Sequence, residues 1–84
     1  MDSRIFERTV LPTVSPLVHD LSRRRARGEL DGAAHAALVR ASIEDALQRS
    51  GGDYWTLRCG ADAQGAPVVL VTAPDGTEYN PSTW

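Results

Sequence analysis

The sequence predicts a small α+β domain in which two to three helices, over about residues 3–49, precede a two- or three-stranded antiparallel β-meander over about 53–80. Two observations lead to this fold class. Apolar residues recur at steps of three and four in the first part of the chain, whereas after Gly51 and Gly52 they alternate or form one short continuous run. No repeat or linker divides the sequence further, so we expect a single domain over residues 1–84.

Two helical segments are predicted before Gly28. The first covers residues 3–11, with Asp2 or Ser3 as a possible cap, and Pro12 limits it. The second covers residues 16–27, because Ser15 followed by proline is typical of an N-cap and a first helical position, and Gly28 is placed to end the helix in the left-handed conformation. The apolar positions expected to share stripes here are Ile5, Phe6, Val10, Leu11, Leu17, Val18 and Leu21.

A third helix over residues 32–49 shows the clearest helical pattern in the chain, with Asp31 as its expected cap. Asp45 and Arg49 stand four residues apart in the favourable order for an ion pair on its outer face. Its core-facing stripe is predicted to contain Leu38, Val39, Ile43, Ala46 and Leu47.

The strand signals follow the two glycines. Residues 54–59 alternate, which places Trp55, Leu57 and Cys59 on one face and predicts that Cys59 is a small buried hydrophobic residue. Residues 67–72 are apolar on both faces, as in a central strand, and a type I turn over 73–76 leads into a short third segment. If the helices form one layer, the second sheet face is an apolar patch that needs a cover.

All nine positive charges are arginines, and Arg23, Arg24, Arg25 and Arg27 lie within five residues. On a helix, Arg23, Arg24 and Arg27 fall on the outer side together with Asp20, where they form a solvated helix end, a protein contact or a phosphate contact. Arg25 falls on the side of the apolar stripe, so it must either extend past the edge of the core or pair with a carboxylate from the strand region. We expect the salt bridge.

Charge favours protein over nucleic acid as the partner. The net charge is −2, and nucleic-acid-binding domains usually carry a clearly basic face. A winged helix-turn-helix is an alternative fold, with the third helix as reader and residues 60–66 as the wing. Its chemistry fits poorly, because the third helix presents Glu44 and Asp45 and the wing contains no cation.

No catalytic or metal-binding pattern is recognisable. His19, His35 and Cys59 are the only soft ligands, and their spacing matches no metal site, so we expect no metal, no cofactor and no enzymatic activity. The chain has no signal peptide pattern and no apolar run long enough to cross a membrane. With a single cysteine it has no internal disulfide, and we expect an unprocessed cytoplasmic protein.

These observations favour a non-enzymatic protein–protein interaction module that acts as an accessory, inhibitor or adaptor subunit, or that associates with itself. The alternative is a small nucleic-acid-binding or transcriptional regulatory protein that uses the arginine run against phosphate. Arginine, tyrosine and tryptophan are enriched at interface hot spots. The residues predicted to bind a partner are therefore Arg23, Arg24, Arg27, Tyr54, Tyr79 and Trp84.

Overall fold

A computed structural model describes residues 3–52 and 54–81. Two helices come first. The N-terminal helix consists of α1 (Ser3–Ile5), a π-helical turn (Phe6–Val10) and α2 (Leu11–Ala26) without a break, and α3 (Gly32–Arg49) follows it. Three strands complete the described chain, namely β1 (Thr56–Ala61), β2 (Pro67–Thr72) and β3 (Glu78–Tyr79). The predicted α+β class is confirmed, and the sheet has three strands.

The N-terminal helix does not break at its prolines, so the expected boundary at Pro12 and the separate start at Ser15 were wrong. Pro12 is the second residue of α2 and Pro16 lies inside it, so within this continuous helix neither proline supplies a backbone N–H to the ladder. The hydroxyls of Thr9 and Thr13 donate to the carbonyls of Ile5 and Thr9 at 2.6 and 2.8 Å and supply bonds next to the π-helical turn.

Packing explains why the helix continues. Every fourth residue across the junction is buried, so an interruption would expose part of a continuous stripe. Burial of these side chains outweighs the local cost of proline. The stripe consists of Phe6, Val10, Val14 and Val18. Leu17 and Leu38, expected on the core side of their helices, are instead 51% and 41% exposed.

The boundary between α2 and α3 follows the predicted capping residues. Gly28 has φ 79°, and the N–H groups of Gly28 and Glu29 donate to the carbonyls of Arg25 and Arg24, which is a Schellman end. Asp31 caps α3 by accepting a hydrogen bond from the Ala34 N–H at 2.7 Å. The observed bounds of α3 match the predicted residues 32–49.

The sheet is an antiparallel meander in the order β1-β2-β3, so β1 and β3 are its edges. Thr56 pairs with Thr72 and Ala61 with Pro67, whereas β3 pairs only with Val71 and Thr72. The first strand begins two residues later than predicted. The described chain contains the N-terminal helix and α3 rather than the three helices of the winged alternative.

Both helices lie on one face of the sheet. Val69 and Val71 are buried with the apolar stripes of α2 and α3, and Leu57 and Tyr79 pack against the same core. Because side chains alternate along a strand, the residues between these positions point to the opposite face. In the part of the chain described, no helix is long and apolar enough to cross a membrane.

Candidate functional site

Three aromatic rings tie the start of the chain to the sheet. The Phe6 ring stacks on Trp55 with 4.4 Å between ring centroids and lies 4.8 Å from the ring of Tyr79. The Tyr79 hydroxyl donates to Glu7 Oε1 at 3.2 Å, and burial together with this acidic neighbour raises the pKa of that hydroxyl. Tyr79, predicted to bind a partner, is therefore a half-buried core residue in the isolated chain.

The other predicted aromatic contacts have different surroundings. Tyr54 is 84% exposed, next to the turn that leads into β1, and so is available to a partner. Trp84 lies outside the described residues. The partner-binding role of both residues stays a prediction.

The four arginines of the run at residues 23–27 have different surroundings. Arg23 lies 3.7 Å from Asp20, and Arg27 forms a 2.7 Å hydrogen-bonded ion pair with Glu29, with all four side chains largely exposed. Arg24 is half-buried. Exposed ion pairs of this kind contribute about 0–1 kcal/mol to stability, so the run is a partly neutralised helix end.

Arg25 does not form the expected salt bridge with any carboxylate among residues 3–52 and 54–81. Its guanidinium instead lies over Gly32, where a Cβ would come within 3.4 Å of Nη2. Burial, and then the positive charge of Arg25, lower the pKa of His35, whose Nε2 is 3.5 Å from the Ser22 hydroxyl. The helical wheel gave the correct side of the helix for Arg25 but not its partner.

A cavity of about 80 Å³ opens beside Arg25 and His35, between the two helices and the start of β2. Pockets that hold metabolite-sized ligands are usually about 300–1,000 Å³, so this cavity has room for a few water molecules only. Its lining residues are Val18, Arg25, His35, Ala36, Val39, Asp62, Pro67, Val68, Val69, Asn80 and Pro81.

Cys59 is exposed, and its predicted burial was wrong. The residue lies on the helix side of β1, as the alternation required, but α3 packs mainly against β2 and leaves the edge strand only partly covered. A groove of about 340 Å³ runs between α3 and β1, lined by Leu47, Trp55 and Leu57 together with Arg40 and Glu44. Glu44 and, more weakly, Cys59 raise the pKa of Arg40, which places the thiol beside that guanidinium.

The opposite sheet face, here called the outer face, is not covered by any helix of residues 3–52 or 54–81. Val68 and Leu70 are half-buried on this face, and Leu70 lies over Gly60, where a Cβ would come within 3.3 Å of Leu70 Cδ1. Arg58 Nη2 donates to Glu78 Oε2 at 2.7 Å, so this ion pair links the first and third strands across β2.

The turn between β1 and β2 shows which backbone groups of β1 have no partner within the described part of the chain. The Asp62 N–H donates to the Ala66 carbonyl, and the Gly65 N–H donates to the Asp62 carbonyl, so the backbone of Asp62 points toward β2. By alternation the backbones of Thr56, Arg58 and Gly60 do the same. The N–H and C=O groups of Leu57, Cys59 and Ala61 therefore point away from the sheet at an open edge, here called the β1 edge.

The uncovered face was predicted from the sequence for the case of a single helical layer, whereas the β1 edge was not predicted. A signal for it was present: Asp62 and Gly65 stand at the positions of a type I turn with a glycine bulge, which joins adjacent antiparallel strands and leaves the first strand at the edge of a meander. In the described ranges, no group of three His, Cys, Asp or Glu side chains is placed to hold a metal ion.

Comparisons with protein-family models, with curated proteins and with solved structures found no match to this chain.

Proposed function

We propose that this chain is a non-enzymatic protein-interaction module that binds protein through the open side of its sheet, meaning the outer face together with the β1 edge. In this role it serves as an accessory, inhibitor or adaptor subunit of a larger assembly. One observation carries the proposal: both helices cover the same face of the sheet.

The composition of the open side suits a protein partner. Val68 and Leu70 supply apolar area at the centre of the outer face, and Arg58 with Glu78 supplies a polar border. Protein interfaces commonly combine an apolar centre with a polar rim. The unpaired backbone of the β1 edge adds donors and acceptors that an extended segment of another chain can pair with.

A small-molecule substrate fits the described geometry less well. The cavity beside His35 is much smaller than a usual ligand pocket. In the larger groove, Arg40 and Glu44 hydrogen-bond to each other at 3.1 Å, so their charges are directed at one another. An enclosed site with acid, base and substrate pocket is not supported by these contacts.

Nucleic-acid binding, the alternative from the sequence, is supported less than protein binding. Arg23 and Arg27 are each paired with a carboxylate, and the outer face carries one arginine and one glutamate in contact. Binding through phosphates predicts a steep loss of affinity for mixed duplex DNA between low and physiological salt. Binding to duplex DNA that weakens with salt in this way would favour nucleic acid over protein as the partner.

Affinity capture with two matched variants tests the proposal. Leu70→Glu adds a carboxylate to the outer face, opposite Arg58, whereas Leu17→Glu makes the same change at an exposed position of α2. Tagged wild-type chain and both variants are used to capture proteins from extract of the source cells, and captured proteins are identified by mass spectrometry. Circular dichroism establishes that each variant is folded.

We expect a protein captured by the wild type to be retained by Leu17→Glu and lost with Leu70→Glu. Equal capture by both folded variants would show that the outer face is not the binding surface. Capture lost only with Leu17→Glu would place the binding surface on the N-terminal helix instead.

A further inference from the structure

We propose that the β1 edge joins two copies of this chain in an antiparallel β1–β1 ladder centred on Cys59, which gives a dimer with one continuous six-stranded sheet. The proposal rests on the proposed function in taking the open side of the sheet as the binding surface, and it names a second copy as the occupant of the β1 edge.

Hydrogen-bond geometry selects this register. Two β1 strands related by a two-fold axis form hydrogen bonds only when residues whose backbone groups point away from β2 lie opposite each other. The axis must therefore pass through a residue of β1, whose own backbone groups point either away from β2 or toward it. With Cys59 on the axis, Leu57 faces Ala61 of the second copy and Ala61 faces Leu57, and all outward N–H and C=O groups of the strand are paired.

The neighbouring registers pair fewer groups. Placing Arg58 on the axis pairs Ala61 with a residue before the start of β1 and sets the two guanidinium groups opposite each other, which is unfavourable. Placing Gly60 on the axis pairs Leu57 with Ala63, which lies in the turn and not in the strand. Both registers leave outward groups of the strand without a ladder partner.

Side chains agree with the register centred on Cys59. On the outer face, Arg58 meets Gly60 of the second copy, which has no side chain to obstruct the guanidinium. On the helix side, the larger Leu57 meets the smaller Ala61, and this contact occurs twice by symmetry. The cross-strand pairs Leu57–Ala61 and Arg58–Gly60 thus each combine a large residue with a small one.

Charges near the edge also permit a second copy to approach. Arg40 is paired with Glu44 on the helix side, and Arg58 is paired with Glu78 on the outer face, so both cations beside β1 are neutralised within their own copy. The strand itself contains no proline and no lysine, the residues that commonly protect an edge from pairing.

The other edge of the sheet is protected, which makes β1 the place for strand pairing. β3 has only two residues, Glu78 and Tyr79, and the part of β2 beyond its reach begins with Pro67, which has no N–H. Short strands and prolines are the usual means of preventing edge-to-edge association.

Sedimentation equilibrium of the untagged wild-type chain under reducing conditions is the first test, with two lysine variants. Cys59→Lys places two ammonium groups opposite each other at the axis, whereas Thr56→Lys adds the same charge to an outer-face position opposite Asp62 of the second copy. We expect wild type and Thr56→Lys to sediment at twice the 9.1 kDa chain mass and Cys59→Lys to sediment as a monomer at the same concentration.

Ala61→Pro provides a second variant should Cys59→Lys fail to fold. It removes an outward N–H that β2 does not use, and we expect it to be monomeric too. Dibromobimane, a short reagent that joins two thiols, should link wild-type copies through Cys59, because directly opposed residues of a hydrogen-bonded antiparallel pair have Cα atoms about 5.5 Å apart.

A wild-type chain that is monomeric at all concentrations, or a folded Cys59→Lys or Ala61→Pro variant that stays dimeric, would overturn the proposed dimer. A dimer that dibromobimane does not link would overturn the register centred on Cys59. These results are separate from the capture experiment: a monomer that still captures a protein through the outer face retains the proposed function, and a dimer that captures none retains only the self-association.

Discussion

The two faces of the sheet differ in what covers them. On the helix side, Val69 and Val71 are buried under α2 and α3 and are joined by the aromatic cluster of Phe6, Trp55 and Tyr79. On the outer face, Leu70 of the same strand is half-buried and lies over Gly60, and the Arg58–Glu78 ion pair crosses this face. A strand that is apolar on both faces is typical of a sheet covered twice. This difference between the two faces is the observation that supports the proposed binding of another molecule to the outer face.

The largest expected effect concerns the covered face. Phe6 is fully buried and contacts two aromatic rings, so Phe6→Ala should lower the free energy of unfolding by about 3–5 kcal/mol. A domain of this length has about 4–12 kcal/mol in total, so at the lower end of this range the variant would be near its unfolding midpoint. Urea denaturation followed by circular dichroism measures this, and a loss below about 1 kcal/mol would show that the aromatic cluster does not hold the layers together.

Two neighbouring residues of β2 compare the faces directly. Val71→Ala removes about two buried methylene equivalents from the covered face and should cost about 2 kcal/mol. Leu70→Ala removes more atoms from the outer face, yet should cost about 1 kcal/mol or less in the isolated chain because that side chain is only half-buried. The same denaturation measurement applies, and an equal or larger cost at Leu70 would mean that the outer face is already covered.

The ion pair on the outer face should contribute little. Arg58 and Glu78 are both more than two-fifths exposed, so the double-mutant cycle of Arg58→Ala and Glu78→Ala should give a coupling of about 0.2–1 kcal/mol. High salt should reduce this coupling further. A coupling well above this range would identify the pair as a structural link between β1 and β3 and would weaken its assignment to an interface rim.

The smallest effect is the pH dependence at His35. Burial and the charge of Arg25 lower the pKa of His35 in the fold, so the folded state favours neutral imidazole. Its contribution to stability is therefore complete above the unfolded pKa of about 6.5 and is lost as the pH falls below that value. His35→Gln should show a smaller loss of stability than wild type between about pH 7.5 and 5.5. A steeper loss in the variant would contradict the direction of the shift.

The sequence was sufficient where local chemistry decides the structure. Asp31 and Gly28 fixed the turn between α2 and α3, because a side-chain cap and a positive-φ glycine act within a few residues. The Asp45–Arg49 ion pair, at 3.1 Å, was predicted for the same reason. Such features need no knowledge of the tertiary structure.

Tertiary packing decided the features that sequence analysis missed. Pro12 indicated a break, but burial of the stripe that includes Val10 and Val14 keeps the helix continuous. Alternation placed Cys59 on the helix side but contained no information about how far α3 extends over the edge strand. An uncovered outer face was predicted only if the helices form one layer, and the sequence does not determine the number of layers.

Amide hydrogen exchange along β1, measured at increasing chain concentration, tests the central claim that two copies of the chain pair through the β1 edge. The amides of Thr56, Arg58 and Gly60 point toward β2 and should be protected at every concentration, whereas those of Leu57, Cys59 and Ala61 should become protected only as copies pair. The predicted result is that exchange slows with rising concentration at Leu57, Cys59 and Ala61 and does not change at the residues between them. Outward amides that exchange at the unprotected rate at every concentration would contradict the account.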